Sequence, residues 1–158
     1  MSVKLNSMPN DRLGSWIMNS SKTYELSRRK AGDSAEVAAE KARTSFETSF
    51  PEGSPALGHR VYDIVATETE SAAEVVGFLW IAPLTEGSDA WWVFDIAVDE
   101  HHRGAGYGRA AMQLAEKAAS ENGAATLGLN VFGYNTVARG LYDSLGYETT
   151  AVQMRKTV

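Results

Sequence analysis

Residues 91–109, WWVFDIAVDEHHRGAGYGR, decide the reading of this chain. An apolar, β-rich run over 91–98 ends in a glycine-rich turn, and an alanine-rich helix opens directly behind it. Glycines at 104, 106 and 108 remove the Cβ atoms that would hold a phosphate off the backbone, and the first amides of the helix then face outward as donors. Such a turn suits an anion, a pyrophosphate above all.

Two ligand classes use such a turn. The register Gly106-x-Gly108-x-x-Ala111 satisfies the dinucleotide fingerprint, which also needs an acidic residue about twenty positions on, at the tip of the next strand. That strand falls near 125–131 and its polar residue is Asn130, an amide, so no carboxylate is available for a ribose hydroxyl. The chain left after the turn is also too short for the remaining strands of a doubly wound domain. The other register is Arg103-x-x-Gly106-x-Gly108, directly behind Ile96-Ala97-Val98. After the next strand comes Asn135-x-x-Ala138-x-x-Leu141-Tyr142-x-x-x-Gly146-Tyr147. In this order and with this gap, the two motifs resemble the acetyl-CoA loop and the motif behind the fifth strand of the GNAT N-acetyltransferase superfamily.

The resemblance implies an α/β (α+β) GNAT fold: a mixed central sheet of roughly six to seven strands with about four helices, splayed between the fourth and fifth strands. It implies acetyl-CoA as co-substrate. Pantetheine would pair with the edge at Ile96, Ala97 and Val98 as an added strand. The pyrophosphate would lie on the turn formed by Arg103, Gly104, Ala105, Gly106, Tyr107, Gly108 and Arg109, and a backbone amide near Val98 would face the oxyanion. Asn130, Asn135 and Ala138 complete the cofactor-side set. Asn135, Ala138 and Tyr142 share one helix stripe, and Val137, Leu141 and Leu145 a neighbouring one expected to face the core. Tyr142 is the candidate general acid, because a phenol is protonated at neutral pH and can donate to a departing thiolate. For the base, some ribosomal-protein acetyltransferases of the superfamily carry a glutamate in the fifth strand, where this chain has Asn130 in Leu127-Gly128-Leu129-Asn130-Val131. Asp95 is the nearest ionisable alternative; a carboxylate held by backbone amides or an arginine is its structural reading, and water-relayed deprotonation a third route.

Composition narrows the classes. At 158 residues, 44% hydrophobic and 22% charged, the chain suits one soluble domain over 1–158. No long apolar run or leader-like start is present, so a cytoplasmic protein that does not enter membranes is expected. With no cysteine, and three histidines outside ligand spacing, no metal site is expected. A net charge of −5 argues against nucleic acid and suits an amine, whether small molecule or peptide. His101 and His102 at the turn could touch phosphate or simply be solvated, and His59 reads as structural. Trp80, Trp91 and Trp92 could line an acceptor pocket or pack the sheet. Gly140, mid-helix, is tolerable if a ligand or backbone passes close by.

Along the chain, Val3–Ser7 reads as a strand stopped by Pro9, and Asp11 opens a helix carrying Leu13, Trp16, Ile17 and Tyr24 on one side. Asp33 with Glu36 forms an N-cap signature for a second helix with an Ala35, Ala38, Ala39, Ala42, Phe46 stripe. Residues 2–58 are thus a strand and a two-helix cap on the substrate side. Residues 60–98 are antiparallel strands, with a hairpin of 60–67 and 74–82 joined by a short polar link. Residues 99–156 form the acetyl-CoA half, in which 91–98 and 125–131 should be parallel neighbours. The crossover helix between them should bury Ala110, Ala111, Leu114, Ala115 and Ala118. The final run, 148–156, reads as a last strand whose exposed edge could pair in a homodimer. The reaction expected from the resemblance is acetyl transfer to a primary amine by direct attack in a ternary complex, with a non-catalytic acyl-CoA sensor as the rival.

Overall fold

The computed structural model describes residues 2–69 and 72–158, without the side chains of 68 and 69. The element order is β1 (Val3–Ser7), α1 (Asn10–Lys30), α2 (Ala35–Ser49), β2 (Arg60–Thr69), β3 (Ala72–Pro83), β4 (Ala90–Val98), α3 (Tyr107–Glu121), β5 (Thr126–Leu129) and α4 (Thr136–Ser144). The strands make one sheet in chain order, β1-β2-β3-β4-β5. The first three pairings are antiparallel and β4–β5 is parallel, with α3 as the crossover. The expected hairpin and parallel pair are present; part of the hairpin link, positions 70 and 71, lies outside the described residues.

The sheet has five strands, not six to seven. Residues 148–158 are exposed and without regular secondary structure, outside the sheet, and among the described residues no backbone–backbone hydrogen bond holds them. A strand exists only where an edge accepts its ladder, and period-two patterning cannot report that.

Each face of the sheet buries its own cluster. Against α3, β2, β3 and β4 bring Ile64, Val76, Leu79, Ile81, Trp91 and Val93 onto Tyr107, Ala111, Met112, Ala115 and Ala119. The buried stripe of α3 is therefore rotated from the expected one: Met112 and Ala119 are buried, while Ala110, Leu114 and Ala118 are half-buried. Against α1 and α2, an aromatic cluster forms around Trp16, Phe46, Phe50 and Trp80. Trp16 meets Phe50, Phe78 and Trp80 edge-on at centroid distances of 5.6, 5.4 and 5.7 Å, the arrangement ring quadrupoles favour. α2 buries Ala38, Ala42 and Phe46 but leaves Ala35 and Ala39 exposed.

The cap of α2 is Ser34, whose Oγ accepts from the Val37 amide at 3.2 Å, rather than Asp33. Asp33 instead takes Arg28 Nε at 2.7 Å and Lys41 Nζ at 3.1 Å. Among the described residues, no helix is long and apolar enough to cross a membrane and no acidic, histidine or cysteine cluster could hold a metal ion.

Candidate active site

The site begins with a bulge in β4. Opposite β3, Ile96 pairs with Leu79 and Asp95 with Trp80, but the next partner of Ile81 is Val93, which leaves Phe94 as an extra residue. In an unbroken strand Asp95 would share the face of Trp91 and Val93 and point into the core under α3. The extra residue puts Phe94 and Asp95 on the opposite face together, and Ile96 and Val98 then return to the α3 side. Phe94 stacks on Trp80 at 4.8 Å, and the Asp95 carboxyl reaches a cavity between the sheet and α1–α2. Burial raises the Asp95 pKa to about 6, against the opposing effect of the Ile96 amide.

The cavity encloses about 890 Å³, with walls from α1 (Tyr24, Arg28), α2 (Phe46), β4 (Trp92, Phe94, Asp95), the β5–α4 link (Asn130, Phe132, Tyr134) and α4 (Tyr142). Burial, and then the Asp95 charge, raise the Tyr142 pKa, so the phenol keeps its proton. Its ring meets Tyr147 edge-on at 6.0 Å, and the Tyr147 hydroxyl donates to Glu116 Oε1 at 3.1 Å, which fixes the tyrosine pair against α3.

The β4–β5 ladder stops at Val93 and Leu129, while β3 stays paired to β4 as far as Gly77 and Val98. From Asp95 to Val98 the β5-side edge of β4 is therefore open to an extended ligand. Two glycines let the paired strands approach closely on either side of β4. A Cβ on Gly77 would stand 2.1 Å from the Ala97 carbonyl oxygen, and one on Gly128 would stand 2.2 Å from the Trp92 indole, which lies across it. Beyond β4, Gly104 (φ 79°) and Gly106 (φ 86°) take left-handed conformations and Gly106 caps α3 without a side-chain acceptor. The first i→i−4 bond of α3 runs from the Ala110 amide to Gly106, so the amides of Gly108 and Arg109 precede the helical ladder, and no acid stands in the first turn. These features fit a pyrophosphate.

Comparison with known proteins agrees with this geometry. The profile of the Acetyltransferase (GNAT) family matches residues 28–147, most of the chain. The chain belongs to the GNAT family. It is 29% identical over 158 residues to the uncharacterized N-acetyltransferase YycN of Bacillus subtilis, covering 99% of each chain. To YdgE of the same organism, also named an uncharacterized N-acetyltransferase, it is 33% identical over 119 residues, 74% of this chain and 73% of that one. The crystal structure of YycN superposes with a TM-score of 0.87 over 99% of both chains at 28% identity. AAC(6')-Iy, solved with a CoA-linked bisubstrate analogue, shares the fold, with a TM-score of 0.59 at 14% identity over 100% of both chains.

In this GNAT family member the residues expected at the site fall into three groups. Asp95, Ile96, Asn130, Asn135 and Tyr142 line one cavity, and Ala97 and Val98 continue the open edge. Arg103, Gly104, Ala105, Gly106, Gly108 and Arg109 surround the turn, but both arginines already hold protein groups: Arg103 Nε donates to the Val98 carbonyl at 3.0 Å, and Arg109 donates to Ser144 Oγ on α4. The third group packs or caps. Tyr107 is buried in the α3 cluster, and Asn135 Oδ1 caps α4 by accepting from the Ala138 amide at 3.2 Å. Val137, expected in the core, is 85% exposed, because α4 packs on the α3-side cluster through Tyr142 and Leu145 instead. A Cβ on Gly140 would meet no protein atom within 4 Å, so no backbone passes close by there. His59 accepts from Trp80 Nε1 at 3.0 Å, a structural role, and His102 lies 3.4 Å from Glu74. Trp80 and Trp92 line the cavity and Trp91 packs under α3. Arg28, Phe132 and Tyr134 escaped the sequence reading; the departure from alternation at Asp95 was the available signal for the bulge.

Proposed function

We propose that the protein transfers acetyl from acetyl-CoA to a primary amine by direct attack in a ternary complex, with Asp95 as general base and Tyr142 as general acid. The bulge at Phe94 carries this reading, because it puts a carboxylate with a pKa of about 6 into the same cavity as a protonated phenol. Acetyl-CoA supplies the activated acyl group. The open edge at 96–98 would hold its pantetheine arm, and the turn at 103–109 its pyrophosphate, with Asn130, Asn135 and Ala138 beside the arm. Asp95 accepts the proton the amine gives up as the new C–N bond forms, and Tyr142 gives its proton to sulfur as the C–S bond breaks. The rate should rise as pH passes upward through about 6, where Asp95 loses its proton.

Tyr142→Phe should lower turnover by about 10²-fold or more while acetyl-CoA affinity holds, measured by thiol release beside calorimetric titration. Unchanged turnover would make Tyr142 a packing residue. The rival acyl-CoA sensor draws on Asn130, an amide where some relatives carry a glutamate, and predicts binding with no thiol released from any amine. We also propose that the protein is cytoplasmic and that it can pair as a homodimer. The dimer rests on the exposed Met154 (88%) of the C-terminal segment and on the open outer edge of β5. Light scattering should report twice the chain mass at micromolar concentration, and the monomer mass would remove this part of the proposal.

A further inference from the structure

We infer that the acceptor amine also carries a carboxylate, set apart from the amine by an apolar body, and that Arg28 on the α1 wall receives that carboxylate. The inference rests on the acetyl-transfer reading and names the substrate class of the same cavity.

Among the described residues lining the cavity, Asp95 and Arg28 are the charged ones, and they come from different walls, β4 and the last turn of α1. Arg28 gives its Nε to Asp33, and its Nη groups donate to no protein acceptor among the described residues. Asp33 does not balance that corner. Lys41 Nζ lies 3.1 Å and Arg155 Nη1 3.8 Å from the same carboxylate, so three cations share one acid. The partial negative charge of the α1 C-terminus offsets only part of the excess. Lys30 adds a further cation at the rim, 4.3 Å over the Tyr134 ring. The cavity is thus bipolar inside a chain whose net charge is −5.

Each end selects for one group. Asp95 and the neighbouring aromatic face of Phe94 suit an ammonium that must then lose its proton. The free fork of Arg28 matches a carboxylate in two parallel hydrogen bonds. The aromatic surface between them, Trp92 and Phe132 included, suits an apolar body. A polyamine or aminosugar would bring further ammonium groups against Arg28 with no acid to meet them. A plain arylalkylamine would leave the Nη groups of Arg28 without an acceptor.

The test is calorimetric titration of the CoA-bound full chain with 4-(2-aminoethyl)benzoate, phenethylamine, L-phenylalanine and spermidine. The benzoate should bind about tenfold or more tightly than phenethylamine, and also ahead of L-phenylalanine, whose carboxylate adjoins its amine. That preference should vanish in Arg28→Gln and return in part in Arg28→Lys, which keeps the charge without the fork. Equal affinities in the native protein, a preference for spermidine, or a benzoate preference that survives in Arg28→Gln would overturn the inference. Should Arg28→Gln fail to fold, Arg28→Lys decides, since an undiminished preference there also overturns it. Thiol release with the same amines separates the two claims: the binding preference without thiol release overturns the catalytic reading alone, and thiol release without preference overturns the carboxylate subsite alone.

Discussion

Asp95→Asn is expected to lower acetyl transfer by about 10²–10⁴-fold and to remove the rise in rate through pH 6, while acetyl-CoA affinity holds. An amide is nearly isosteric with the carboxyl and leaves the bulge at Phe94 in place, so the loss reports proton acceptance. The same substitution should stabilise the fold at neutral pH. In the folded protein the Asp95 pKa is raised from 3.8 to about 6, so its contribution to stability is fully present below pH 4 and is lost as pH rises through 6. Above pH 7 the native protein carries this charge at a cost that the asparagine variant avoids. Because Asp95 is partly exposed, the gain should be about 1–2 kcal/mol, a rise of a few degrees in melting temperature. The paired outcome, lower turnover with higher stability, distinguishes a functional carboxylate from a structural one. A variant that turns over within about threefold of the native protein would assign deprotonation to water or to the free amine in solution.

Gly108→Glu should weaken acetyl-CoA binding by about 100-fold or more with the fold intact, checked by calorimetry beside circular dichroism. Gly108 is the second residue of α3, and a Cβ there meets Leu141 Cδ2 at 3.5 Å, an ordinary contact. A carboxylate in the first turn of a helix is compatible with the helix dipole and costs the fold little. It would, however, take the place of the pyrophosphate and oppose its charge. Gly106 is the poorer test position, since its φ of 86° strains any L side chain and mixes a folding defect with a binding defect. Native-like affinity in Gly108→Glu would remove the phosphate role from this turn.

Several features were readable because they depend on near neighbours in the chain. Glycine at 104 and 106 marks left-handed backbone, and two β-rich runs joined by a short polar link mark β2 and β3 as an antiparallel hairpin. The pattern of Asp33 with Glu36 placed the cap of α2 one residue early: Ser34 caps it, while Arg28, Lys41 and Arg155 claim Asp33. Residues 148–156 have strand-like composition but join no ladder of the sheet, so patterning overstated it.

From its residues alone, this protein was already a strand, a phosphate-type turn and a helix, followed by a parallel strand and a tyrosine-bearing helix, with the GNAT resemblance those spacings carry. Local spacing specifies these features because backbone conformation and side-chain parity are short-range properties. Only the tertiary structure put the Asp95 carboxylate in the cavity, since one extra residue in β4 reverses the face on which every later side chain emerges. Only it brought Arg28 to the same cavity, because that meeting depends on how α1 crosses the sheet, a packing outcome that no single segment encodes.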